Sequence, residues 1–226
     1  MTDALDRGQD AAPPAAPEPD FSVLGARGRR HAALPILDFD VHVSEPSGRT
    51  VYLIALTAQV MIEPARRTYD ADTRGRLSEL FGPPDRWSMT SRSVLWAQLD
   101  ALVPGFTGAT TFRLPLVCSF DHEVVAAKYL YSVRDGDIPL AFNFNGTIYY
   151  RDADGRLQMT LVPWSCTAEL RMPVAVWREL IECHYPGTGW IALRTETIDA
   201  LAREKARRGS PTLDLCVAQL LEEAGR

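Results

Sequence analysis

From Ile36 the chain alternates. Leu37, Phe39, Val41 and Val43 point one way, and Asp38, Asp40, His42 and Ser44 the other. A period of two predicts a strand with one buried and one wet face. Pro46-Ser47-Gly48 predicts a turn, and Val51 to Ile62 a longer, more buried strand that pairs with the first as an antiparallel hairpin. A short helix is expected from Asp72 to Phe81, stopped by Gly82-Pro83-Pro84. Ser93 to Val103 reads as a strand ended by Pro104-Gly105, and Thr110 to Cys118 as another, with Phe112, Leu114, Leu116 and Cys118 on one face.

Asp121 has the chemistry of a helix N-cap, because its carboxylate can accept from free backbone N–H groups. Val124, Ala127, Lys128 and Tyr131 follow at helical spacing. Ile138 to Tyr150 reads as strand, with Asn145-Gly146 as a bulge or tight turn, and Asp152 to Gly155 as a hairpin loop into Leu157, Met159 and Leu161. The last third turns helical. Pro173 suits a first helical position, and Val174, Trp177, Ile181 and His184 share a stripe. A second helix is expected from about Thr197 to Arg208, and a third opens at Ser210-Pro211 with Leu213, Val217, Leu220 and Leu221 apolar. Strands first and helices last predict an α+β fold: an antiparallel β-sheet or sandwich core with helices concentrated in the C-terminal third.

Ahead of this pattern, residues 1–33 read as a disordered Pro/Ala-rich leader. Pro13, Pro14, Pro17 and Pro19 sit among small and acidic residues, which bury too little apolar area to order the chain. Residues 34–226 are then expected to form a single globular domain. The chain has 226 residues and a formal charge of -5. Its first 20 residues hold five Asp/Glu and one Arg, a net of -4, so the remainder is nearly neutral. That balance argues against a protein built to neutralise nucleic-acid phosphates and leaves that role only to a local basic patch. The basic cluster Arg203, Lys205, Arg207 and Arg208 is interrupted by Glu204 and suits a helix C-terminus, where cations complement the dipole. No apolar run reaches the roughly 20 residues of a membrane-spanning helix, and a cytoplasmic location is expected.

The chemistry on offer is sparse. Cys118, Cys166, Cys183 and Cys216 lack C-x-x-C spacing and sit among apolar residues, as core thiols do. Cys118 with His122 could pair a nucleophile with a base across a bend, yet no third group or oxyanion hole is evident, and Cys183 and His184, adjacent on a helix, diverge by about 100° and do not face each other. Asp38, Asp40 and His42 share a strand face with about 7 Å between successive positions, and offer oxygen and nitrogen ligands to a divalent cation. A solvated strand face carries the same residue types. Asp152, Asp154 and Gly155 resemble the start of a calcium loop, but position twelve is Pro163 rather than a glutamate. Tyr149, Tyr150 and Trp164 could line the pocket of a small-ligand-binding sandwich, or serve as ordinary core aromatics. No P-loop, G-x-S-x-G, H-E-x-x-H or G-x-G-x-x-G is present, and no cofactor is expected.

Several runs carry a family likeness: Leu102 to Gly108, Glu123 to Leu130, Ile138-Pro139-Leu140 with Phe144 to Thr147, and Val162-Pro163-Trp164 through Trp177 to His184-Tyr185-Pro186. Together they resemble a bacterial, mainly actinobacterial, family of unknown function encoded beside high-affinity nickel–iron uptake hydrogenase genes. The likeness spans roughly Leu37 to Leu221. It implies a non-enzymatic accessory role in assembly, maturation or function of that hydrogenase, through contact with its subunits or maturation proteins. It carries no catalytic residues with it. The competing readings are a metal-dependent enzyme or metal-binding protein using Asp38, Asp40 and His42, and the small-ligand-binding sandwich.

Overall fold

The computed structural model describes residues 16–119, 124–152, 154–189 and 191–225. Asp121 and His122, and with them the expected cap and the Cys118–His122 pair, lie outside the described residues, as do the first fifteen residues of the expected leader.

The fold is α+β, with two antiparallel sheets. One sheet has three strands in the order β1 (Asp20–Gly28), β2 (Ile36–Ser44), β5 (Ala109–Val117). The other has five. Its order is β4 (Val94–Thr107), β3 (Thr50–Ile62), β6 (Asp137–Arg151), β7 (Leu157–Leu161), with β8 (Thr167–Pro173) on the other half of β6's outer edge. The core lies between the sheets. Phe39, Val41, Leu114 and Leu116 from one meet Ile54, Leu56, Val60, Phe142 and Phe144 from the other, all essentially inaccessible. The rings of Phe39 and Phe142 cross edge to face with centroids 5.1 Å apart.

Two expectations fail together. Asp20–Gly28, read as leader, is strand β1. Phe21 and Val23 alternate into the core, and Phe21 stacks on Phe144 at 4.5 Å. The surrounding prolines and arginines hid this short apolar signal. The expected hairpin of β2 with β3 does not form either. The turn is real: the buried Glu45 carboxylate accepts from the Ser47 and Arg49 backbone N–H groups at 3.2 and 2.9 Å. Yet β2 fills both hydrogen-bonding edges with β1 and β5, and β3 fills both of its own with β4 and β6. The turn therefore carries the chain from one sheet to the other. Strand β4 also runs on through Pro104-Gly105. Proline is tolerated there because β4 is an edge strand. Glycine is needed because a Cβ at position 105 would sit 2.7 Å from the Tyr52 carbonyl oxygen.

Helix α1 (Ala71–Phe81) starts where Asp70 accepts from the Thr73 N–H at 2.8 Å, and buries Leu77 and Phe81. After it come a short turn of helix, α2 (Trp87–Thr90), and α3 (Val125–Ser132), which buries Tyr129 and Leu130. Helix α4 (Val174–His184) buries Val174, Trp177 and Ile181 of the expected stripe together with Leu180, and leaves His184 half-buried at its end. Pro173 ends β8 and caps α4 from outside rather than opening it. Helices α5 (Thr195–Arg208) and α6 (Leu213–Ala224) pack chiefly on each other. The cap of α6 is Thr212, which accepts from the Leu215 N–H at 3.2 Å, whereas Ser210 donates to Gln219.

Candidate interaction face on the five-stranded sheet

Asp38, Asp40 and His42 do stand side by side on β2, but the carboxylates are already occupied. Asp38 is 3% exposed and takes a bidentate fork from Arg29, at 2.9 Å from Nε and 2.5 Å from Nη2. Asp40 takes a second fork from Arg27, at 2.9 and 2.7 Å. Strand β1 runs antiparallel beside β2 with Arg27 opposite Asp38, and each fork reaches diagonally, Arg27 to Asp40 and Arg29 to Asp38. Hydrogen bonding to Asp38 raises the already high pKa of Arg29 further. A guanidinium fork matches a carboxylate in both geometry and charge. A cation would have to displace two of them. Among the described residues no group of three or more His, Cys, Asp or Glu is arranged to hold a metal. His42 faces Thr111, with Nδ1 3.4 Å from the hydroxyl.

Cysteine chemistry is muted. Burial pushes the Cys118 thiol up to about 12, so it carries almost no thiolate at neutral pH. Cys183 is exposed, but the His184 ring lies 2.9 Å from the Leu180 carbonyl oxygen and 3.1 Å from that of Ala32. The imidazole therefore ties α4 to the β1–β2 connection. The Asp152 loop is a turn: its carboxylate accepts from the Asp154 and Arg156 N–H groups and from Gln158. Tyr149 and Tyr150 are half-buried on β6. Tyr150 lies near the Arg49 guanidinium at 5.9 Å, and Trp164 is 93% exposed. Clefts of about 590 Å³ beside Arg66 and Arg171, and about 600 Å³ beside Tyr131 and Glu182, lie elsewhere.

The unusual surface is the outward face of the five-stranded sheet. Register sets out its rows. Pro104, Leu53, Tyr149 and Met159 lie abreast on β4, β3, β6 and β7. Leu102, Ala55, Thr147 and Leu161 form the next row. Then the face turns polar, with Asp100, Thr57 and Asn145, and beyond them Gln98, Gln59 and Asn143. Thr57 Oγ1 donates to Asp100 at 2.6 Å in that polar half. The apolar half is bare: Leu102 is 71% exposed, Met159 72% and Leu161 73%. Leu157 and Tyr52 extend it, both more than half exposed. Five large apolar side chains exposed on one face of a single sheet are a contact-surface signature rather than the scatter of single apolar residues usual on a monomer. The sequence showed Leu157, Met159 and Leu161 as a strand face but not which side they would take, because a two-residue period is silent on what covers each face.

Residues 16–226 match the family of unknown function DUF6084. The chain belongs to this family. No curated protein matches the DUF6084 chain in sequence. Among solved structures it is similar to a protein assigned to the late embryogenesis abundant class, at 13% identity and TM-score 0.30 over 69% of this chain and 71% of that one. It is also similar to an ApaA-type protein of Bordetella pertussis, at 12% identity and TM-score 0.24 over 70% and 95%. A β-glucosidase of Kluyveromyces marxianus gives 10% identity and TM-score 0.26 over 70% of this chain and 15% of that one. At such scores these likenesses carry no argument about the DUF6084 protein.

Proposed function

We propose that the protein is a non-enzymatic, cytoplasmic accessory protein that acts by protein contact, with subunits or maturation proteins of a nickel–iron hydrogenase as its partners. The observation that carries this reading is the bare apolar half of the five-stranded sheet, where Leu102, Met159 and Leu161 are each more than two-thirds exposed. Contiguous exposed patches of several large apolar side chains mark contact surfaces. The two arginine forks on Asp38 and Asp40 weigh against the metal-enzyme alternative. The sequence likeness to a family encoded beside hydrogenase genes supports the class of partner. The near-neutral charge beyond the acidic first 20 residues suits protein contact better than a nucleic acid.

Leu102→Glu, on β4, tests the reading. Affinity capture from the native host, with hydrogenase expression induced, should recover hydrogenase subunits or maturation proteins with the wild type and several-fold less with the variant. Deletion of the gene should lower hydrogenase activity. Capture that never enriches those proteins, with activity unchanged in the deletion strain, overturns the reading.

A further inference from the structure

We propose that β7 pairs with β7 of a second copy across a two-fold axis, joining two five-stranded sheets edge to edge. Strand β7 hydrogen-bonds to β6 on one side, and among the described residues no strand occupies its other edge. Soluble proteins guard such edges with charges or prolines. The other outer strands here carry such guards. β4 has Asp100 and Pro104, β5 has Arg113 and Pro115, β8 has Glu169, Arg171 and Pro173, and β1 has Asp20 and Arg27. Strand β7 reads Leu-Gln-Met-Thr-Leu and has none.

That segment is also self-complementary. An antiparallel pairing centred on Met159 sets Leu157 opposite the second copy's Leu161, Gln158 opposite its Thr160, and Met159 opposite itself. The apolar residues meet on one face and the polar ones on the other, with no like charges opposed. A two-fold axis requires such a match of a patch with itself. The same register, extended, brings Trp164 beside the second copy's Asp154–Arg156 turn. There Arg156, 77% exposed and 3.7 Å from the Asp154 carboxylate, lies in position to stack on the indole, which is 93% exposed in the single chain. The apolar rows of the two sheets become continuous across the junction. The contact is small, so the dimer belongs to the weak class, with Kd of about 1–100 µM. The dimer does not depend on the hydrogenase reading, because it forms in the purified protein.

Sedimentation velocity of the full-length protein from about 1 to 300 µM brackets that range. The wild type should pass from monomer to dimer as concentration rises. Met159→Lys and Met159→Glu each place like charges opposite one another on the axis, and each should weaken the dimer tenfold or more. Because Met159 is 72% exposed, far-UV circular dichroism should be unchanged. An equimolar mixture of the two variants puts lysine against glutamate and should restore the dimer. A wild type that stays monomeric, variants that dimerise like wild type, or a mixture that stays monomeric overturns the proposal.

Discussion

The Tyr69 hydroxyl donates to the Pro64 carbonyl oxygen at 2.8 Å and lies 2.9 Å from the Tyr129 hydroxyl, both buried. Burial raises the pKa of both phenols, that of Tyr69 well above the ordinary value. A neutral phenol is thus favoured in the folded chain while the unfolded one ionises near its usual pKa. Stability from this pair is present below about pH 10 and is lost as pH rises beyond it. An ultraviolet titration should therefore leave both phenols un-ionised until the protein unfolds. Tyr129→Phe should cost about 1 kcal/mol, since Tyr69 keeps its carbonyl partner. Tyr69→Phe should cost more, about 1–3 kcal/mol, because it strands the Pro64 carbonyl and the Tyr129 hydroxyl. Chemical denaturation measures both. Cysteine reactivity follows the same burial. Only Cys183 of the four is exposed, so one thiol should react with a disulfide reagent in the native protein and four after denaturation. The alternation that sets Asp38, Asp40 and His42 on one face of β2 was legible, but Asp38 is buried beneath Arg29 rather than wet. The arginine partners were not legible, because Arg27 and Arg29 become neighbours only when β1 pairs with β2.

At the scale of elements, β6 shows why a strong local signal misleads. Asn145-Gly146 reads as a bulge or tight turn within a strand, and the strand runs through it in unbroken register with β3, with Gly146 at φ +139°. A Cβ there would sit 2.0 Å from the Ala55 carbonyl oxygen of β3. The glycine serves close strand approach, which no local pattern reveals. Gly146→Ala should destabilise by roughly 3 kcal/mol or more, at the severe end for single substitutions, as thermal or urea unfolding would show. Helix α5 behaves differently. Hydrogen bonds from Arg207 and Arg208 hold the Glu204 carboxyl down to about 2, and Arg208 also forks onto Glu223 of α6. A depressed carboxylate stabilises above its unfolded pKa of about 4.3 and loses that contribution as pH falls toward 2. Hydrogen exchange near pH 3 should show α5 and α6 opening before the sheets. The basic cluster does suit the helix end, as its sequence implied, and its partner Glu223 came only from the packing of α6.

For the whole molecule, β1 decides the architecture. It covers the free edge of β2, seats Phe21 on Phe144, and leads into the connection that His184 holds through Ala32. We therefore propose that a chain beginning at residue 16 folds and one beginning at residue 34 does not. Circular dichroism and solubility of the two would decide it. Within the full chain, Phe21→Ala should cost about 3–5 kcal/mol. The sequence by itself determined most strands and helices and the α+β class, because period-two and period-3.6 patterns record which face of each element is buried. Only the tertiary structure decided which strands pair, that the carboxylates of β2 are neutralised, and that one half of the five-stranded sheet is left bare. Those are relations between segments distant in the chain, and a local period carries no information about what lies across from it.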